Sequence, residues 1–390
     1  MENLKIGIIG IGNMGSAHAH CIMNGDVENL ELIAVCDNDE EKLKAFAEIN
    51  PQIKTYSDYR GMIKSGELDA VLIATPHPLH SEMAIFAFQN GLNVILEKPA
   101  DISVSKVEKM NEAAKKSGKV FSIMFNQRTN SLFAKAREIV RGGELGELKR
   151  TVWIVTNWYR TQHYYDSGDW RATWVGEGGG VLLNQCPHNL DVWQWICGMP
   201  KSIIAHCEIA KYHDIEVEDE AVIMTRFENG ATGTFITSTG EFPGTNRLEI
   251  SGTMGKIVLE NGKLKWWKLK EDESTIRFSS KEGFAAIDYD YCEIPQIEGE
   301  TAHKNILQNF TNAVLKGEEL ISKGEDGILE LSISNAAFLS SWTGEEVALP
   351  FDCKKFDELL AERCKNSNFQ KKNKTKEFKT AYDKRWQVNW

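Results

Sequence analysis

The stretch that decides the fold is Lys5-Ile6-Gly7-Ile8-Ile9-Gly10-Ile11-Gly12-Asn13-Met14-Gly15. Its first five residues are apolar apart from Lys5 and largely β-branched, which predicts a short, buried parallel strand ended by a glycine. Gly10 permits a tight turn, Gly12 lets the backbone approach a pyrophosphate, and Gly15 lets a following helix pack closely on the strand. The N-terminus of that helix offers unpaired N–H groups to phosphates.

A second predicted strand, 31–36, ends at Asp37. An acidic residue at this position can bind the ribose hydroxyls of a dinucleotide, and its charge repels a 2′-phosphate. The pattern therefore favours NAD over NADP. The alternative is that Asp37 caps the next helix, which begins near Asp39.

Strands and amphipathic helices alternate up to residue 124. We expect further strands at 70–74, 93–96 and 120–124, and helices at 81–90 and 104–117. This alternation predicts an α/β domain, residues 1–124, built on a doubly wound parallel sheet. Ligands of such sheets bind beyond the carboxyl ends of the strands, where the sequence places Gly10, Asp37, Thr75 and Glu97. Lys98 and Pro99 follow there; in isolation, Lys-Pro is more typical of a solvated turn.

A second domain, residues 125–350, is predicted to be α+β. After a helix at 131–141, short strands are separated by turns such as Asn229-Gly230 and Asn261-Gly262, which indicate antiparallel hairpins. Helices at 301–316 and 325–342 complete this domain. Residues 351–390 form a lysine-rich, aromatic extension, typical of a solvated arm, although its aromatic residues favour docking on protein, such as a neighbouring subunit.

Gly178-Gly179-Gly180 precedes a predicted helical segment, 181–195. Asn184, His188 and Asp191 follow at spacings of four and three and should share one face, while Pro187 implies an irregular helix. A histidine beside tryptophans is more often structural than catalytic.

Residues 157–174 are mostly aromatic or able to form directional hydrogen bonds, as a polyol site requires. The alternative is a tryptophan-rich loop that seals the domain boundary. The candidate substrate contacts are Tyr159, Arg160, His163, Trp170 and Arg171, with Arg128 from Asn126-Gln127-Arg128.

Taken together, Gly10–Gly15, Asp37, Thr75-Pro76 with His80, and Glu97-Lys98-Pro99 resemble the Gfo/Idh/MocA family. The resemblance spans residues 4 to about 350. It implies a Rossmann domain followed by a domain with a large, mostly antiparallel sheet, whose open face makes a homo-oligomer (dimer or tetramer). It also implies a catalytic Lys98, a cis Pro99 and a catalytic His188. The expected NAD contacts are Gly10, Gly12, Asn13, Met14, Gly15, Asp37, Thr75, Pro76, His77, His80, Glu97, Lys98 and Asn126.

Asn184 departs from the family pattern, because many members have aspartate there. An amide cannot act as a base, although it can orient a hydroxyl group. The base role therefore falls on His188, since imidazole exchanges protons near neutral pH. Lys98 would stabilise the developing alkoxide. Asp191 either holds the imidazole or has a structural role.

The motifs around 157–191 resemble a narrower branch, the levoglucosan dehydrogenases and bacterial enzymes that oxidise glycosides at the 3-hydroxyl. We therefore expect an NAD-dependent dehydrogenase that binds a sugar, anhydrosugar or glycoside between its domains. One alternative is redox-neutral glycoside cleavage by oxidation and elimination. Another is a non-catalytic protein that senses NAD or sugar.

Bulk composition excludes several other classes. A formal charge of −11 argues against a nucleic-acid partner. No apolar run approaches the ~20 residues of a membrane span, and the N-terminus resembles no secretory signal. The eight cysteines form no CxxC pair, so we expect free thiols, no metal site and a cytoplasmic protein.

Overall fold

A computed structural model of the chain describes residues 3–297, 301–367 and 369, which form two compact units. The first unit comprises the described residues of 1–129, 176–178 and 301–331, and the second comprises those of 130–175, 179–300 and 332–390. The predicted domains, 1–124 and 125–350, differ from these units chiefly because residues 301–331 belong to the first.

The first unit contains a six-stranded sheet in which neighbouring strands all pair in parallel. Its strand order, β3-β2-β1-β4-β5-β6, is that of dinucleotide-binding domains, and it confirms the predicted Rossmann sheet. The strands are β1 Leu4–Ile9, β2 Leu30–Cys36, β3 Lys54–Tyr56, β4 Ala70–Ile73, β5 Asn93–Leu96 and β6 Phe121–Ile123. The helices are α1 Asn13–Met23, α2 Glu40–Ile49, α3 Tyr59–Ile63, α4 His80–Gln89 and α5 Val104–Ser117.

The second unit contains a nine-stranded sheet. Its strands are β7 Leu148–Val155, β8 Ser202–Ile209, β9 Glu218–Arg226, β10 Thr232–Ser238, β11 Asn246–Gly252, β12 Gly255–Glu260, β13 Lys263–Leu269, β14 Tyr289–Pro295 and β15 Val347–Ala348. The order is β14-β13-β12-β11-β7-β10-β9-β8-β15, and only β7 and β10 pair in parallel. Both predicted hairpins form. Asn261 and Gly262 have φ of 54° and 68°, as a type I′ turn requires.

Five helices belong to the second unit before residue 300: α6 Ser131–Arg141, α7 Gln162–Asp166, α8 Val181–Asn184, α9 Pro187–Cys197 and α10 Glu273–Ser279. After residue 300 follow α11 His303–Lys316, α12 Gly327–Thr343 and α13 Cys353–Asn366. Ile306, Leu307 and Phe310 of α11 are fully buried in one core cluster with Leu4 and Ile6 of β1. This burial explains why the segment belongs to the first unit.

The predicted extension, 351–390, is described only in part. Helix α13 forms its first half, whereas its clustered lysines and Trp386 and Trp390 lie outside the described residues. Within the described chain, no helix combines the length and apolar character needed to cross a bilayer.

Candidate active site

The three glycines of the turn after β1 each have a different environment. Gly10 has a φ of +89°, and a Cβ on Gly15 would lie 1.7 Å from the carbonyl oxygen of Gly10. A Cβ on Gly12, in contrast, would have no atom within 4 Å. The turn and the close approach of α1 therefore require Gly10 and Gly15, while the space beside Gly12 at the start of α1 fits a pyrophosphate.

Asp37 lies at the end of β2 and is half-buried. Its Oδ2 accepts a hydrogen bond from the Ile11 amide at 2.9 Å, and its Oδ1 accepts one from the Asp39 amide at 3.0 Å. The side chain that caps α2 is that of Asp39, so the alternative role for Asp37 as the cap is wrong. An ionised carboxylate has about four acceptor positions, so Asp37 retains capacity for a ribose diol beside the glycine turn.

His80 is completely buried behind the Thr75–Pro76 loop. Its Nδ1 lies 2.8 Å from the carbonyl oxygen of Pro99, and its Nε2 lies 2.8 Å from that of Thr75. Because both ring nitrogens face backbone oxygens, His80 joins two loops, and its predicted role as a cofactor contact stays a prediction. His77 is also buried, with Nδ1 3.1 Å from the carbonyl oxygen of Glu177.

Glu97 follows β5 and is buried beside His18 of α1. Its Oε1 lies 2.7 Å from Nε2 of His18, and its Oε2 accepts the Lys98 amide at 3.2 Å. Burial opposes ionisation, but the hydrogen bond from His18 and the charges of His18, His303 and Lys98 lower the pKa of Glu97 to about 2. Glu97 therefore orients the Lys98 backbone, and its predicted contact with the cofactor stays a prediction. The Lys98–Pro99 bond is cis, as predicted.

His303 of α11, which is half-buried, lies beside this pair in the first unit. Its ring centroid lies 5.7 Å from that of His18 in an edge-on arrangement. Burial, together with the charges of His18 and Lys98, lowers the pKa of His303 to about 4. His303 is therefore neutral at pH 7, next to an ionised Glu97.

Two polar residues after β6 have different environments. Arg128 is buried, with Nη1 2.6 Å from Oδ2 of Asp326 and its guanidinium over the ring of Phe125. This ion pair holds the guanidinium against Asp326, and the predicted contact of Arg128 with substrate stays a prediction. Asn126 is buried as well, but its Oδ1 accepts no hydrogen bond within the described residues, so it remains able to contact a ligand.

The segment with Asn184 and His188 forms two helices instead of one. Helix α8 ends at Asn184, and Pro187 is the first residue of α9, where its missing N–H costs no hydrogen bond. The predicted irregularity is confirmed, and Asn184 and His188 belong to different helices, so the predicted common face is not a face of one helix. Asn184 is half-buried and His188 is buried. Asp191 is fully buried, and its Oδ1 accepts the side-chain amide of Gln194 at 3.0 Å.

The aromatic segment 157–174 is hydrogen-bonded to α9 and to the residue that follows α8. Trp158 donates from Nε1 to Oδ1 of Asn189 at 3.3 Å, and Gln185 donates from Nε2 to the Tyr164 hydroxyl at 3.2 Å. Trp158 and Trp174 are buried, as a sealing role requires, whereas the candidate sugar contacts remain at least partly accessible: Tyr159, Arg160, His163, Trp170 and Arg171.

Comparison with known proteins identifies the family. The Oxidoreductase family, NAD-binding Rossmann fold, matches residues 4–125, and the GFO/IDH/MocA C-terminal domain matches residues 133–258, together more than half of the chain. The chain belongs to the Gfo/Idh/MocA family. It is an oxidoreductase of this family, and its cofactor is NAD.

Relatives of this Gfo/Idh/MocA protein include myo-inositol 2-dehydrogenase of Thermotoga maritima, which is 27% identical over 86% of this chain and 95% of the relative. Levoglucosan dehydrogenase of Pseudarthrobacter phenanthrenivorans is 26% identical (88% and 98%), and D-glucoside 3-dehydrogenase of Escherichia coli is 27% identical (89% and 97%). The WlbA dehydrogenase from Bordetella pertussis, solved with NADH and UDP-GlcNAcA, shares the fold. Its TM-score is 0.76 at 24% identity, over 90% of this chain and all of that chain.

Sequence reasoning missed three residues of the site: His18, His303 and Glu218. Glu218 is fully buried and accepts the amides of Gly180 and Leu182 at 2.8 and 2.9 Å, which anchors the start of α8. His18, three residues after Gly15 on α1, could have been noticed from its position. His303 and Glu218 are distant in sequence from their partners and leave no local signal. No cluster of metal-ligating side chains occurs among the residues that the structure describes.

Proposed function

We propose that this protein oxidises a secondary hydroxyl group, at carbon 3, of a sugar, anhydrosugar or glycoside, with NAD as the electron acceptor. The observation that supports this most strongly is the attachment of the aromatic segment to the helices that contain Asn184 and His188. Accessible aromatic and hydrogen-bonding side chains are suited to the C–H faces and hydroxyl groups of a pyranose. The names of two relatives, levoglucosan dehydrogenase and D-glucoside 3-dehydrogenase, agree with this substrate class.

The cofactor would be held by the first unit. The amides of Gly12, Asn13 and Met14 would bind the pyrophosphate, Asp37 the adenosine ribose, and Thr75, Pro76 and Asn126 the remaining surface. NAD, when bound, supplies the acceptor for the hydride that leaves the carbinol carbon. The negative charge of Asp37 disfavours the 2′-phosphate of NADP.

Three side chains would act on the substrate hydroxyl group. His188 takes the hydroxyl proton as the general base. Lys98 donates a hydrogen bond to the same oxygen and stabilises its developing negative charge. Asn184 orients the hydroxyl group, because a neutral amide can donate or accept a hydrogen bond but cannot remove the proton.

The protein would also form a homo-oligomer through the outer face of its nine-stranded sheet. Ile204 of β8 and Met224 of β9 are cross-strand partners, and 37% and 45% of their surfaces are exposed. Paired apolar side chains on a sheet face are typical of a subunit interface.

Incubation of the purified protein with NAD and a panel of sugars and glycosides tests the activity. We expect NADH to form and the product to be a 3-ketone by NMR, with much weaker activity when NADP replaces NAD. Release of the aglycone without net NADH would support redox-neutral cleavage instead. If no member of the panel yields NADH and none is cleaved, an enzymatic role on sugars is contradicted.

A further inference from the structure

Two arginines of the second unit lie against one tyrosine. The guanidinium carbons of Arg160 and Arg171 are 5.2 and 4.7 Å from the ring centroid of Tyr164. Arg171 also donates from Nη1 to the Tyr164 hydroxyl at 2.9 Å, and its guanidinium stacks on Trp170 at 4.5 Å. The aromatic rings therefore hold two positive charges in one small region.

Among the described residues, no carboxylate pairs with either guanidinium group. Arg160 donates to the carbonyl oxygens of Trp158 and Tyr159 at 3.2 and 2.9 Å, and Arg171 donates from Nε to that of Ser167 at 3.2 Å. Across residues 3–297, 301–367 and 369, neither arginine forms an ion pair. The chain as a whole is negatively charged, with 56 acidic residues against 45 basic ones. The positive charge of these two arginines is therefore confined to this segment.

The backbone of Arg160 is fixed on both sides. Its amide donates to the carbonyl oxygen of Thr239 at 2.9 Å, and its own carbonyl oxygen lies 2.9 Å from Nε2 of His213. His213 in turn contacts the fully buried Asp219 through Nδ1 at 2.9 Å. Burial alone would lower the pKa of His213, but Asp219 and the Arg160 carbonyl raise it. His213 thereby links the Arg160 backbone to the buried Asp219.

The pair also adjoins the segment that contains Asn184. The Tyr164 hydroxyl group accepts hydrogen bonds from Arg171 and from Gln185, the residue after Asn184. Both arginines are only half-buried, so their remaining N–H groups can reach a ligand.

We propose that Arg160 and Arg171 bind an anionic substituent of the substrate, so that this enzyme acts on an acidic sugar, either a carboxylated or a phosphorylated one. This inference rests on the proposed sugar oxidation and narrows its substrate class. Guanidinium groups match the planar oxygens of carboxylates and phosphates, and their charge-assisted hydrogen bonds are roughly twice as strong as neutral ones.

The test compares matched substrates that differ only in charge: methyl glucoside with methyl glucuronide, and glucose with glucose 6-phosphate. NADH formation gives kcat/KM for each. We expect kcat/KM for one anionic sugar to exceed that for its neutral partner by about 10-fold or more, as a charged hydrogen bond warrants. The pair with the larger ratio shows whether the site binds a carboxylate or a phosphate. This preference should weaken at high salt.

Variants then assign the preference to the arginines. Arg160→Gln and Arg171→Gln should each raise KM for the anionic partner about 10-fold more than KM for the neutral partner, which reduces the anionic preference by that factor. Arg171→Lys, which keeps the positive charge, should retain part of the preference for the anionic sugar. Arg277→Gln, at an exposed arginine of α10 that pairs with Glu273, is the matched control, and thermal unfolding checks that every variant is folded.

Equal kcat/KM for neutral and anionic sugars, or equal losses on both in the glutamine variants, would overturn the anionic site and leave the proposed oxidation intact. Absence of NADH with every sugar would overturn the proposed oxidation and this inference with it.

Discussion

We expect cofactor choice to depend on Asp37, because it combines a negative charge with a position beside the glycine turn. Its contacts with the amides of Ile11 and Asp39 orient the carboxylate. Asp37→Asn keeps one acceptor oxygen and removes the charge. We expect kcat/KM with NAD to fall by about 10-fold, the range of a charged hydrogen bond, and the NAD-to-NADP preference to fall with it. Steady-state kinetics with both cofactors measures this, and an unchanged preference would show that Asp37 does not contact the ribose.

Glu97 makes stability depend on pH. Its pKa is about 2 in the folded protein against 4.5 ordinarily, so its ionised form stabilises the fold by roughly 3 kcal/mol. Because the folded value is the lower one, this contribution is present above pH 4.5 and is lost as pH falls toward 2. Glu97→Gln should therefore lower the free energy of unfolding most at pH 7.

Urea unfolding between pH 7 and pH 2.5 measures the difference between wild type and Glu97→Gln. The exposed Glu112→Gln is the control. A difference that stays constant with pH would mean that the His18–Glu97 interaction is not electrostatic.

At the scale of elements, the start of α8 depends on close packing against β9. A Cβ on Gly180 would lie 1.9 Å from the carbonyl oxygen of Glu218, so Gly180→Ala must displace backbone. We expect a loss of about 1–3 kcal/mol in unfolding free energy. Gly283→Ala, where a Cβ meets no atom within 4 Å, should change it by less than about 0.5 kcal/mol. Equal denaturation midpoints for the two variants would contradict this packing argument.

The same elements show what the sequence can predict. The Gly10–Gly15 turn, its strands and the Asn261-Gly262 hairpin follow from local chemistry, because φ preferences and side-chain periodicity act within a few residues. The ion pair of Arg128 with Asp326 and the contact of His303 with His18 join residues about 200 and 285 positions apart. No local pattern encodes such contacts, so the sequence alone reveals neither the ion-pair partner of Arg128 nor the position of His303 beside His18.

The outer face of the nine-stranded sheet predicts that copies of this chain associate. Ile204→Glu and Met224→Glu place charges on paired, exposed positions, so an interface there should dissociate. Light scattering after size exclusion should show an oligomer for wild type and a smaller species for both variants. Exposed Ile209→Glu, at the end of β8, serves as a comparison. A monomeric wild type would refute the proposed assembly.

Lys98 and His188 are proposed to act on one substrate hydroxyl group. The most direct measurement is the rate of NADH formation by wild type, Lys98→Ala and His188→Ala on a sugar that wild type oxidises, with NADH affinity measured separately by fluorescence. We expect each variant to lose at least ~100-fold in kcat, the scale of general acid–base catalysis, while NADH affinity changes by less than about 3-fold. Near-normal turnover in both variants would contradict the account.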